Sequence, residues 1–108
     1  MGAMLAGHPQ PTKTLLRRWA RSDNVWKRRT AILAQLRSRQ ATDRKLLADV
    51  IEPSIGERQF FLRKGIGWAL REFSKTDPDW VIEFIATHGG LSGLSRREAL
   101  KHVARGRR

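Results

Sequence analysis

At 108 residues the chain has room for one domain with a modest core. A net charge of +12, from 22 Lys/Arg against 10 Asp/Glu with arginine predominating, sets it apart from neutral enzymes. That balance makes nucleic acid the first partner to consider and an acidic membrane surface or acidic protein the second. There is no cysteine, so disulfides and thiolate metal sites are excluded; the histidines at 8, 88 and 102 have no ligand-like spacing, and neither a metal nor a cofactor is expected.

The start MGAMLAGHP has two methionines and lacks the basic n-region and apolar stretch of a signal peptide. Residues 1–8 are expected to be an unstructured or vector-derived N-terminus, 9–104 a helical repeat domain and 105–108 a basic tail. No apolar run reaches membrane-spanning length, and a cytoplasmic protein, nucleoid-associated if bacterial, is expected.

In chain order, Thr12 offers a cap for a first helix to about Arg21, with Leu15, Leu16 and Trp19 on one side. Ser22 and Asp23 offer caps for a second, VWKRRTAILAQLR, to about Ser38. Thr42 or Asp43 starts a third through Leu46, Leu47, Val50 and Ile51, which Pro53 should end. Gln59 to about Lys75 forms a fourth. Asp77-Pro78, an N-cap followed by proline at the first helical position, starts a fifth that Gly89-Gly90 stops. Ser95 with Glu98 three residues later has the spacing of a capping box for a sixth, to about Ala104. Nothing alternates with period two for long enough to be a strand, so the class is all-α.

The even-numbered helices repeat one another. WKRR at 26–29, FLRK at 61–64 and LSRR at 94–97 share the pattern bulky, any, basic, basic, at spacings of 35 and 33 residues. The odd helices repeat more loosely, as Leu15-Leu16, Leu46-Leu47 and Val81-Ile82. A two-helix unit with this period predicts an α-solenoid of about three HEAT-like helix pairs.

The fourth helix has two unlike faces. At 100° per residue, Leu62, Ile66, Leu70 and Phe73 form a stripe for burial. Roughly opposite lie Lys64, Trp68 and Arg71, cations flanking an indole, which suits a polyanion. In the sixth helix Arg97, Lys101 and Arg105 take the equivalent flank, so basic residues recur on what would be the concave surface of a solenoid. Gly65 and Gly67 each cost about 1 kcal/mol relative to Ala in a helix, which asks for a close approach by a neighbouring helix or by nucleic acid. Arg29 falls among the apolar positions of the second helix, so it either pairs with Glu72 or another carboxylate or is aimed at a ligand. Arg28, Arg63 and Arg96 read as solvated charges, and Trp19, Trp26 and Trp80 as packing residues. Asp23, Asp43 and Asp77 read as caps, and Asp49, Asp79 and Glu83 have no partner that suggests acid–base chemistry.

The segments RRWARSDNVWKRRTAILAQLR, FFLRKGIGWALREFSKTDPDWV and LSRREALKHV resemble the C-terminal half of the AlkD-type DNA alkylation repair enzymes, over about Gly7 to Val103. The resemblance implies a HEAT-like solenoid that holds duplex DNA on its concave face and hydrolyses the N-glycosidic bond of 3-methyladenine and 7-methylguanine without a metal. It assigns Arg29, in the W-x-x-R motif, and Trp68, in IGW, to DNA contact near the lesion. It also implies that the catalytic aspartate and its companion tryptophan lie in preceding repeats, so this chain holds no catalytic residue. Gly65 stands where the family commonly has alanine. The reading is a DNA-binding member of this family, with Arg29, Lys64, Trp68, Arg71, Arg97 and Lys101 as candidate contacts to duplex DNA. The alternative is a non-catalytic helical-repeat module for nucleic acid or an acidic protein, and self-association or a separate N-terminal half could complete the solenoid.

Overall fold

Capping side chains set where most of the helices begin. The structure is a computed structural model that describes residues 9–106, with side chains described over 12–103. Its helices are α1 (Pro9–Trp19), α2 (Val25–Leu33), α3 (Arg44–Ile51), α4 (Phe60–Ser74), α5 (Pro78–Thr87) and α6 (Gly93–Gly106). Short 3-10 turns at Arg39–Ala41 and Glu52–Ser54 link α2 to α3 and follow α3. No strand occurs among the described residues. The side chains of Asn24, Asp43, Gln59 and Asp77 accept hydrogen bonds from backbone N–H groups in the first turns of α2, α3, α4 and α5. Each satisfies a donor that the helix geometry leaves without a partner.

Several boundaries differ from those read in the sequence. The first helix already runs from Pro9, and Thr12 is buried within it. Asn24, rather than Ser22 or Asp23, caps α2, while Ser22 Oγ accepts from the Asn24 N–H. The second helix ends at Leu33, not Ser38, because the buried Gln35 amide turns to the backbone of Asp43, accepting from its N–H at 2.7 Å and donating to its carbonyl at 3.1 Å. The capping box is displaced by one step: Ser92 Oγ accepts from Ser95 N–H, and Ser95 lies buried inside α6, donating to the Arg63 carbonyl at 2.8 Å.

The helices form two layers. Helix α4 packs side by side with α6, the most extensive contact in the molecule, and with α2. The odd helices pack behind them, α1 against α2 and α3, and α5 against α4 and α6. This is the alternation expected of three stacked helix pairs. Leu16, Ile32, Ile51, Leu62, Leu70 and Val81 are at most 1% exposed and form the spine of a continuous core. At one end Phe73 meets Trp80 edge-on and Trp80 stacks on Phe84, with centroids 5.4 and 5.2 Å apart.

The basic pairs of the repeat divide their work. The first arginine of each pair folds back onto the loop before its own helix. Arg28 Nε donates to the Ser22 carbonyl, Arg63 Nε to Glu57 at 2.9 Å, and Arg96 to Leu91 and Gly89 at 3.2 and 2.8 Å. These arginines are loop anchors rather than the solvated charges their spacing suggests. The planar fork of the guanidinium lets Arg96 bridge two carbonyls from separate nitrogens.

Candidate nucleic-acid interface

Helix α4 turns one side to its neighbours and leaves the other open. Leu62, Ile66, Leu70 and Phe73 are buried as their spacing predicts. Gly65 and Gly67 are buried too, but on two different flanks. A Cβ on Gly67 would lie 2.6 Å from the Glu98 Cβ and 3.3 Å from the Ser95 carbonyl oxygen, so this glycine admits α6. A Cβ on Gly65 would meet only the Arg29 side chain of α2, at an ordinary 3.7 Å. The close approach that the glycines require is a neighbouring helix, tight at Gly67 alone.

The open side carries Phe60, Phe61, Lys64, Trp68 and Lys75 exposed, with Arg71 half-buried among them. Trp68 is 41% exposed. Trp26, read in the sequence as a packing residue, is 63% exposed on α2, with its ring centroid 6.1 Å from that of Phe61. Phe60 and Phe61 are themselves in edge-on contact at 5.7 Å. The exposed aromatics at 26, 60 and 61 were missed. The signal lay in the repeat, whose bulky first position places Trp26 and Phe61 one pair apart.

Three of the candidate cations converge on one carboxylate. Glu98 of α6 is 8% exposed and accepts from Lys101 Nζ at 2.9 Å and Lys64 Nζ at 3.2 Å, with Arg71 3.9 Å away. The Lys101 hydrogen bond, seconded by that of Lys64, holds the Glu98 carboxyl below its ordinary range against the opposing effect of burial. Glu72, on α4 itself, is taken by Lys75 at 3.0 Å.

Arg29 answers the choice left open by its position. It forms no ion pair among the described residues, and its Nε is buried without a hydrogen-bond partner. Glu72 is not its partner. It lines a shallow groove of about 380 Å³ with Trp26, Thr30, Leu33 and Arg37. Arg97 stands apart from the Glu98 cluster, its guanidinium lying near Gly93 of its own helix. Arg105 lies outside the described side chains. A second cleft, of about 650 Å³, opens beyond the C-terminal end of α2 and is lined by Leu36, Arg37, Arg39, Glu72 and Lys75 among others. Trp68 lines neither cleft and stands on an open surface. Among the described residues no group of His, Asp and Glu is arranged to hold a metal ion, and no helix is long and apolar enough to cross a membrane.

The fold is an all-helical, solenoid-like stack, with cations and exposed aromatics together on the open side of α4 and on α2. The particular family follows from comparison. A family model described as DNA alkylation repair enzyme matches residues 1–103, and the chain belongs to that family. Among solved structures it is similar to one titled "Predicted DNA alkylation repair enzyme from Enterococcus faecalis", with 36% sequence identity and a TM-score of 0.87. That match covers 95% of this chain and 48% of the other, so the chain spans about half the length of this relative. No curated protein matches it.

Proposed function

We propose that this chain binds duplex DNA on the open side of its inner helices, as a DNA-holding part of an alkylpurine-excising repair enzyme. The observation that carries the reading is the grouping on α4 and its neighbours: Trp68 exposed between Lys64, Arg71 and Lys75, with Lys101 alongside and an unpaired Arg29 on α2. In a stack of this kind the inner helices line a concave surface, and cations spaced along it can follow a phosphate backbone. Family membership supports a DNA substrate. Exposed rings among the cations add contact to sugars and bases.

Base release by these 108 residues alone is not expected. A carboxylate that assists cleavage has to face the cationic sugar, whereas Glu98 and Glu72 are both occupied by lysines. The test is duplex binding across a salt series together with a release assay on 7-methylguanine DNA. Salt-dependent binding, weakened by Arg29→Ala and Lys64→Ala, without base release is the expected result. Weak, salt-insensitive DNA binding beside tight binding to an acidic protein would overturn it.

A further inference from the structure

Glu98 draws three cations to one carboxylate, and neither the repeat pattern nor the family assignment accounts for it. It reaches from α6 toward α4 through the gap left by Gly67, whose missing side chain is the condition for its placement. Its Oε1 takes both Lys64 and Lys101, and Oε2 faces Arg71 at 3.9 Å. These cations come from two helices and repel one another; without a common counter-charge, long exposed lysines spread into solvent. The Nε of Arg71 is buried without a hydrogen-bond partner among the described residues, and Glu98 is the carboxylate its guanidinium faces.

We infer that Glu98 is a positioning residue for polyanion binding, gathering Lys64, Arg71 and Lys101 into a fixed triad beside Trp68 that seats one backbone phosphate. Three cations against one carboxylate leave a local charge of +2. Each lysine ammonium has three donors and gives one to Glu98, so the others remain free for phosphate oxygens. The triad thus presents converging donors with little left to order on binding, which is how preorganisation raises affinity. This inference rests on the duplex-binding reading above.

The experiment measures affinity for a short unmodified DNA duplex over a salt series, using the full chain with its helicity checked by circular dichroism. The variants are Glu98→Gln, Lys64→Met/Lys101→Met, and all three substitutions together. Glu98→Gln raises the net charge by one, so long-range electrostatics alone would tighten binding. Positioning gives the opposite sign: on the order of tenfold weaker binding, with the log–log salt slope shallower by about 0.9 for the lost phosphate contact. In the Lys64→Met/Lys101→Met background the same substitution should cost much less, because two of the three cations it positions are gone and only Arg71 remains. Affinity at or above wild type for Glu98→Gln overturns the inference, as does an equal loss in both backgrounds, which would assign Glu98 to packing. If Glu98→Gln does not fold, Glu98→Asp keeps the charge but shortens its reach; weaker binding supports the inference and wild-type affinity overturns it. Absence of salt-dependent duplex binding by the wild type overturns the duplex reading itself, and this inference with it.

Discussion

Gly67 of α4 and Glu98 of α6 meet backbone to side chain, with only 2.6 Å between the Glu98 Cβ and the place a Gly67 Cβ would occupy. That contact sets the separation of the two most extensively packed helices and lets the Glu98 carboxylate reach Lys64. Gly67→Ala should therefore destabilise the fold. Overpacking of about 1–3 kcal/mol outweighs the roughly 1 kcal/mol that alanine contributes as a helix former. Gly65→Ala has ordinary contact with Arg29 and should stabilise by up to about 1 kcal/mol. Thermal unfolding separates them: Tm falls by several degrees for the first and rises by a few for the second. Equal effects would show that α6 does not approach α4 as closely as described.

Acid should weaken the fold through two carboxylates. Lys13, hydrogen-bonded at 2.8 Å, and the Leu46 N–H hold Asp43 below its ordinary value of 3.8, and the lysines around Glu98 hold it below 4.5. Both folded-state values are lowered, so their stabilisation is fully present above those ordinary values. It is lost as the pH falls through the lower folded-state values. Urea unfolding from about pH 7 to about pH 2 should show the decline, and Asp43→Asn and Glu98→Gln should each flatten it. An unchanged acid limb in both variants would mean that other groups govern acid unfolding.

The division of labour within each basic pair can be tested at adjacent residues. Arg63→Ala removes the anchor to the Glu57 carbonyl and should cost about 0.5–1.5 kcal/mol of stability, with duplex affinity nearly unchanged. Lys64→Ala should leave stability within about 0.5 kcal/mol, since the lysine is half-exposed and Glu98 keeps Lys101, and should reduce the salt slope by about 0.9. Chemical denaturation and salt-titrated binding on the two variants read both quantities. Losses that track each other would refute the division.

Much of this was legible in the linear pattern, for physical reasons. The buried stripe of α4 and the start signals at Asp43 and Asp77 follow from local geometry, which spacing encodes directly. Family and all-helical class were legible in long motifs. The capping box failed because Ser92, Ser95 and Glu98 give two phases of one three-residue signal. Contacts from α4, the Arg63 carbonyl and the lysines, decide between them. Trp26 was misread because a large aromatic at helical spacing is more often packed, while its exposure depends on which helix lies beside it. The convergence of Lys64, Arg71 and Lys101 on Glu98 was invisible for the same reason, since it exists only once α4 and α6 are placed.

The tryptophans report binding separately. Trp80 packs between Phe73 and Phe84, whereas Trp68 and Trp26 are exposed. Duplex addition should quench intrinsic fluorescence, and Trp68→Phe should remove a large part of the change while Trp80→Phe removes little. Trp68→Ala should also weaken duplex binding by about 1–3 kcal/mol if a base or sugar packs on the indole. Unaltered quenching in Trp68→Phe would move the contact elsewhere.

Arg29 offers the sharpest separation of structure from binding. A buried arginine with a carboxylate partner destabilises by about 3–5 kcal/mol when the pair is broken. Arg29 has no such partner among the described residues, and its buried Nε carries an unmet desolvation cost. Arg29→Met keeps the apolar stem against Gly65 and removes both the charge and the orphaned donor. Its stability should equal or exceed wild type by up to about 1 kcal/mol, while duplex affinity falls severalfold and the salt slope becomes shallower by about 0.9. Denaturant unfolding and duplex titration of this one variant therefore move in opposite directions. A loss of several kcal/mol in stability with unchanged DNA affinity would assign Arg29 to the fold and remove it from the interface.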